Sequence, residues 1–318
     1  MERRSRTHRA VVALGGNAIT RPGEAGTIAE ELANLAGSLE SVVELIASGC
    51  ELVVTHGNGP QAGRELIRGE LAQERVARLP LDVIVADLQG ELGYLIARVL
   101  RDKLRRRGHP AAVACLLTMV EVSADDPAFA APTKYVGPFY DESEARALAS
   151  AHGWTVRRDA DRGWRRVVPS PDPLAIVENQ EIRSLVEAGV IVIGAGGGGI
   201  PVALNAAGEL YGVEGVIDKD LASAVLALAI DAPELFILTG VERVMLDFAT
   251  SQARPLATLT VAEARRHLAA GQFPPGSMGP KIEAACRFLE GGGERVLITH
   301  IDRLPEALAG ETGTWITA

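Results

Sequence analysis

The sequence predicts an α/β fold built on a largely parallel β-sheet with helices on both faces. Three observations carry this. Short runs rich in Val, Leu and Ile alternate with longer stretches of helical periodicity along most of the 318 residues. Glycine-rich turns follow several of the apolar runs, as they do where strands hand over to helices. Hydrophobic residues make up 47 % of the chain but aromatics only 4 %, so the core is expected to consist mainly of Val, Leu, Ile and Ala. The length suits one large domain or two smaller ones.

The first strand, RAVVAL from Arg9, runs into Gly15-Gly16-Asn17. Residues 27–48 place Ile28, Leu32, Leu35, Leu39, Val42, Val43 and Ile46 at helical spacing, with Gly49 as the stop. ELVVTHGNGPQ (51–61) repeats the theme of strand, glycine turn and helix, with Pro60 expected at the first helical position. A helix over about 82–106 leads to the strand AAVACLLT (111–118). Residues 122–174 break the rhythm with six prolines (127, 132, 138, 169, 171 and 173). Phe129, Phe139, Tyr140, Trp154 and Trp164 in this stretch predict an inserted subdomain with a small core of its own. Alternation then resumes with a helix near 176–188, the strand VIVIGAGGGG (190–199) and a hairpin-like 200–213. A helix from about 218, a strand at 234–240 and a helix at 261–270 follow. A helix over about 280–290 stops at Gly291-Gly292-Gly293 before the strand RVLITH (295–300). In sheets of this kind ligands sit beyond the carboxyl ends of the strands.

The formal net charge of −9 argues against a general nucleic-acid binder or a binder of acidic membranes, so any anion site must build its positive field locally. Cys50, Cys115 and Cys286 form neither a CxxC pair nor a zinc spacing and read as small core residues of a reduced, cytosolic protein. The basic start MERRSRTHRA is followed by VVALGG, too short for a signal peptide's apolar region or a membrane span. Its arginines read as a solvated tail.

Four glycine-rich turns stand out: Gly15-Gly16-Asn17, Gly57-Asn58-Gly59, Gly194 to Gly199, and PPGSMGPK at 274–281. Any one of them is ordinary punctuation. Together, at one end of a parallel sheet, they line a crevice with backbone N–H groups suited to polyphosphate. Gly15, Gly16, Asn17, Gly57, Asn58, Gly59, Gly197 and Gly198 are therefore the candidate phosphate- and substrate-binding residues. Gly194, Gly196 and Gly199 satisfy GxGxxG, but Ile200-Pro201-Val202 follows as extended chain where a dinucleotide fold needs a helix. There is no GxxxxGK[ST], no HExxH and no nucleophile triad pattern. His56 reads as a local hydrogen-bonding residue.

The lysines discriminate better. The chain writes 28 of its 32 basic residues as Arg and uses Lys only at 103, 134, 219 and 281. Asp218 is a natural N-cap, placing Lys219 and Asp220 in a first helical turn; Pro280 does the same for Lys281. A cation there opposes the helix dipole at a cost of about 0.3–1 kcal/mol. A bound phosphate reverses that sign, and Lys is a compact, flexible point charge able to follow a moving phosphoryl group. The alternative is that either ammonium snorkels into solvent. Asp220 is either a favourable first-turn carboxylate or the group that holds the two lysines. Lys103 reads as a solvated helix face and Lys134 as an exposed loop residue.

The stretches VVALGGNAI, HGNGPQAG, PTKYVGPFY, DRGWRRVVPSP, AGGGGIPV, GVIDKDLAS and PGSMGPKIEAACRF resemble the carbamate kinases of the amino acid kinase family, from about residue 9 to the end. The resemblance implies a single domain over 1–318: a three-layer αβα sandwich with a mainly parallel central sheet, a small protruding subdomain inserted at about 122–174, and a homodimer. It implies Mg²⁺-dependent transfer between ATP plus carbamate and ADP plus carbamoyl phosphate, commonly toward ATP in arginine fermentation, in the cytoplasm. It gives Lys219 and Lys281 the role of neutralising the phosphoryl group in transit and Asp220 that of organising them. Lys134 would reach toward the carbamoyl phosphate pocket, against its bland reading. The nucleotide would lie near Thr239, Gly240 and Met278, with Mg²⁺ held mainly by phosphates rather than by protein ligands. Three positions depart from the family pattern, Tyr135, Ala62 and Asp161, all near the insert or the substrate loop. Carbamate is already an anionic nucleophile, so in-line transfer needs no general base. Other acyl-phosphate kinases and an inactive nucleotide sensor are the alternatives.

Overall fold

The computed structural model describes residues 8–21, 23–159 and 163–318; most of the basic start and Asp161 lie outside them. β1 (Arg9–Leu14) is buried at every residue, as a strand covered on both faces must be. The 27–48 stretch is helical but divides at Leu39 (φ −90°, ψ 2°) into α1 (Ile28–Ser38) and α2 (Glu40–Ala47). A capping box between Thr27 and Glu30 starts α1. Leu39 stays buried through the break, which is why apolar periodicity runs on without a sign of it. β2 (Glu51–His56) leads to α3 (Gly59–Ala72), which begins directly after Asn58, so Pro60 takes the second helical position rather than the first. α4 (Leu81–Arg106) and a short β3 (Val113–Cys115) follow.

Next come β4 (Met119–Val122), α5 (Pro127–Ala130), β5 (Lys134–Tyr140), α6 (Glu142–His152), β6 (Thr155–Arg158), β7 (Trp164–Val168) and β8 (Pro173–Ile176). α7 (Asn179–Glu187) and β9 (Ile191–Ile193) precede a 3-10 turn at Gly196–Gly198. Extended chain follows as expected: β10 (Ile200–Leu204) pairs antiparallel with β11 (Leu210–Gly212). The chain closes with α8 (Lys219–Ala229), β12 (Glu234–Thr239), the small ladder of β13 (Met245–Leu246) and β14 (Arg254–Pro255), then β15 (Thr258–Thr260) and α9 (Val261–Ala269). α10 (Met278–Glu290), β16 (Arg295–His300), α11 (Leu304–Leu308) and β17 (Thr314–Thr317) complete it.

Eight strands form the central sheet in the order β15-β17-β16-β12-β1-β2-β9-β3. Its pairings are parallel except where β17 runs against β16. Alternate strand residues face two different cores. Val11, Ala13, Val53, Leu235 and Ile237 pack with residues of α7, α8 and α10. Ala10, Val12, Leu14, Leu52, Val54, Phe236 and Leu238 pack with α1, α2, α4 and α11. Two cores around one sheet make the three-layer αβα sandwich, each buried aliphatic side chain contributing about 1.5–3 kcal/mol.

A smaller sheet, β11-β10-β4-β8, flanks the body, and β5-β7-β6 forms a three-stranded antiparallel sheet within 122–174. The aromatics there do not make a core of their own. Val136 and Val168 rest on Leu66, Ile84 and Leu88 of α3 and α4, and Phe129 packs against the main core. Trp154 is faced by Arg166 (4.7 Å) and Arg78 (5.3 Å), Trp164 by Arg146 (5.4 Å), and Phe139 by Arg165 (4.9 Å). Arginines cover these rings because the sheet is too thin to enclose them. Cys50 and Cys286 are buried as expected, whereas Cys115 is exposed at the end of β3.

At the opposite ends of the strands, Glu234 pairs with His8 and Arg295, while Arg9 donates to Glu51 (2.8 Å) and to the Ile230 carbonyl (2.7 Å). Among the described residues no helix is long and apolar enough to cross a membrane.

Candidate active site

Three of the four glycine loops leave the carboxyl ends of β1, β2 and β9, which are neighbours in the sheet, and Thr239-Gly240 leaves β12 beside them; the fourth, 274–281, follows α9 rather than a strand and opens α10. Each of the three is tied to the strand beside it: Gly15 N donates to Leu238 O (2.9 Å), Gly57 N to Leu14 O (3.0 Å) and Gly194 N to Val54 O (3.0 Å). Gly57 lies so close to Gly16 and Lys219 that a Cβ there would meet Gly16 N at 3.4 Å and Lys219 Cδ at 3.5 Å. Gly240 faces Asn17, where a Cβ would lie 3.3 Å from Nδ2. Gly197 (φ +68°) presses on the Asn58 amide and Gly198 (φ +93°) on the Ile217 carbonyl, and a side chain on either would collide. Asn58 is 4 % exposed, and its Nδ2 is buried with no hydrogen-bond partner. A buried donor left unpaired costs about 1–3 kcal/mol, which makes Asn58 a candidate for bonding an acceptor.

Asp218 caps α8, its Oδ1 accepting from Asp220 N at 3.0 Å, which fixes Lys219 as the first helical residue. Ser223 Oγ donates to Lys219 O (2.6 Å) and bonds Thr55 of β2 (2.7 Å), anchoring this turn to the sheet. Asp220, 2 % exposed, spends one oxygen on Lys219 and the other on Lys281, 2.9 Å away. Lys281 is the fourth residue of α10; the helix starts at Met278 after Ser277, so Pro280 is third rather than first. Lys134, at the start of β5, bonds Asp218 Oδ2 at 2.9 Å, so it belongs with the cluster and not with exposed loop.

Burial raises the Asp220 carboxyl, but Lys219 and Lys281 outweigh it and hold the group below its ordinary value of 3.8. Burial likewise lowers the Lys219 ammonium, with Asp220 pulling it back up and Lys281 adding to the fall. The two shifts act on one pair in opposite senses; geometry favours the ionised form, because both Asp220 oxygens accept from an ammonium. Lys219 therefore stands to gain from any anion that joins it. Burial also pushes His56 down to about 4. Its neutral ring bonds Gly57 O (3.1 Å), a local role rather than an acid–base one.

A cleft of about 540 Å³ opens above these loops, lined by Gly15, Gly16, Asn17, Thr239, Gly240, Lys219 and Lys281. Arg21 and His300 also line it and carry no sequence signal that marks them out; Ser277 lines it too, from within the PPGSMGPK turn, though it is not among the candidate residues. A side chamber of about 150 Å³ shares Thr239, Ser277 and Lys281 and is walled by Val241, Met245, Phe248, Phe273 and Met278. Gly57, Asn58, Gly59, Gly197, Gly198 and Lys134 stand outside the cleft lining: Gly57 beside its floor, Gly197 behind Asn58, Gly59 opening α3. A larger cavity of about 740 Å³ lies between α3–α4 and the β5-β7-β6 sheet and contains none of the lysines. Among the described residues no group of three His, Cys, Asp or Glu is placed to hold a metal ion.

Residues 8–300 match the amino acid kinase family. The carbamate kinase of Pyrococcus horikoshii is 48 % identical over 311 residues, covering 97 % of this chain and 99 % of that protein. The carbamate kinase-like protein YahI of Escherichia coli is 46 % identical over 309 residues, covering 96 % and 98 %. Among solved structures, the Giardia lamblia carbamate kinase bound to AMP-PNP superposes with a TM-score of 0.91 at 36 % identity, covering 98 % of this chain and 99 % of that one.

Proposed function

This chain belongs to the amino acid kinase family, and we propose that within it the chain is a carbamate kinase. It moves a phosphoryl group reversibly between ATP and carbamate, giving ADP and carbamoyl phosphate. One observation carries the reading: a single buried carboxylate, Asp220, holds two ammonium groups from two different helices at the floor of a glycine-walled cleft. That arrangement supplies a fixed positive field for charge spread over equatorial phosphoryl oxygens.

Toward ATP, the bond between phosphorus and the carbamoyl oxygen breaks as a terminal phosphate oxygen of ADP bonds the phosphorus. Carbamate leaves as a carboxylate, so no proton needs a base, in keeping with neutral, buried His56. Lys219 and Lys281 follow the group in transit and Asp220 keeps them apart and charged. Amides of Gly16 and Gly59, with Asn17 and Asn58, orient the phosphoryl and carbamoyl ends, while Gly15 and Gly57, whose amides are spent on Leu238 O and Leu14 O, let the loops approach closely. Gly197 and Gly198 serve by letting Asn58 and the segment before α8 approach closely. Lys134 reaches the carbamoyl phosphate from the insert. The nucleotide lies along Thr239 and Gly240, with its base in the chamber beside Met278. Asp218 and Asp220 are already engaged by lysines, so Mg²⁺ would be held mainly by the nucleotide phosphates and would supply neutralisation of their charge.

The same reading takes 122–174 as an inserted subdomain of one domain spanning 1–318, and the protein as a cytoplasmic homodimer that makes ATP in arginine catabolism. The direct test is formation of ATP from ADP and carbamoyl phosphate by the purified protein. A panel of carboxylates assayed for ADP formation separates carbamate from other acyl acceptors. Nucleotide binding without transfer in either direction would leave an inactive sensor as the better description.

A further inference from the structure

Asp218 has two oxygens and two tasks. Oδ1 caps α8, and Oδ2 accepts from Lys134, a residue 84 positions away on β5 of the insert's sheet. The cap fixes the carboxylate plane, so Oδ2 offers an ammonium one defined place, one residue before Lys219. Asp218 is sheltered, at 14 % side-chain exposure, whereas the Lys134 side chain is 37 % exposed. A lysine stem on its own carries about 2 kcal/mol of rotamer entropy and would sample solvent. The cluster as a whole sets three ammoniums (Lys134, Lys219, Lys281) against two carboxylates (Asp218, Asp220). One positive charge is left over, and Asp220 keeps both its lysines when an arriving phosphoryl group draws Lys134 forward; the carboxylate released is Asp218, which is partly exposed and still accepts from Asp220 N.

We propose that Asp218 is the positioning residue for Lys134: it moors the insert's lysine at the mouth of the cluster before substrate binds and yields it to the carbamoyl phosphate. This rests on the carbamate kinase reading. The cap and the mooring can be separated by chemistry. Asn and Ser cap helices about as well as Asp, but neither presents a carboxylate to an ammonium.

Asp218→Asn and Asp218→Ser are expected to melt within a few degrees of the wild type. Each should raise KM for carbamoyl phosphate about tenfold, equivalent to about 1.4 kcal/mol, with KM for ADP and kcat changed less than about twofold. In a Lys134→Met background the same Asp218 substitutions should add less than about twofold. An equal loss in both backgrounds, or no change in KM in the first, overturns the proposal. With only four lysines in the chain, reductive ¹³C-methylation gives a resolvable NMR signal for Lys134 and a readout free of activity. That signal should shift and narrow in Asp218→Asn; an unchanged signal overturns the mooring even if the wild type shows no turnover. A wild type without turnover but with a shifted Lys134 signal retires the carbamate kinase reading alone.

Discussion

Asp220→Asn tests the centre of the site most sharply. The substitution keeps the shape of a side chain that is 3 % exposed and bonded to both lysines, but removes its charge. The amide oxygen can still accept from one ammonium, while its NH₂ is turned on the other. Two buried cations then face each other without a counter-charge. Breaking a buried pair in this way costs about 3–5 kcal/mol. An unfolding entropy of about 2.1 cal/mol/K per residue comes to about 0.7 kcal/mol/K for this chain, so melting should fall by about 4–7 °C. Turnover should drop about a hundredfold, because the lysines lose their spacing. The acid side adds a signature. A carboxyl held below 3.8 contributes stability that is complete at neutral pH and lost as pH falls through its folded value. The variant should lack that part of the acid-induced loss. Calorimetry from pH 7 down to the acid transition, with coupled ATP assays at pH 7, reads all three. Melting within 1 °C of the wild type together with near-normal kcat would refute the claim that Asp220 holds the lysines.

Lys219→Arg should fold normally yet lose most of its kcat, since a rigid guanidinium fork does not replace a point charge packed against Gly57; steady-state kinetics with near-wild-type kcat would contradict this. His56, pushed down to about 4, should cost the wild type stability as pH falls below 6.5, by about 2 kcal/mol at pH 5. Urea titrations at pH 7 and 5 should show that difference shrinking in His56→Gln. Met245→Trp fills the chamber beside Met278 and should raise KM for ADP severalfold while leaving KM for carbamoyl phosphate near normal. Equal effects on both would move the nucleotide base elsewhere.

Much of this architecture is written locally and was therefore legible. The buried strands β1, β2 and β12 are continuous aliphatic runs, and Asp218 declares the start of α8 by its type and place. What stayed hidden depends on partners distant in the chain. Leu39 breaks a helix without breaking its apolar stripe. The insert's aromatics look like a core until Arg78, Arg146, Arg165 and Arg166 are brought over their faces. Lys134 looks bland because nothing near it in sequence announces Asp218, and only the carbamate kinase resemblance spoke for it. Position 280 misled by two residues: proline suits the first helical position, but here it sits third, because α10 begins at Met278. Scarcity of lysine was the most useful global signal, since three of its four occurrences meet at Asp218 and Asp220.

The pairing of Glu234 with His8 and Arg295, and of Arg9 with Glu51, closes the strand ends that point away from the cleft. Six residues of β1 at about 3.3 Å each put some 20 Å of buried sheet between these ion pairs and Gly15. The sheet acts as an insulating spacer: one end bears load, the other performs chemistry, and they share no side chain. Changes at the Arg9–Glu234 end should alter how much of the protein is folded while leaving KM and kcat per folded molecule untouched. That end is where resistance to heat or acid can be adjusted by selection or design without renegotiating the reaction.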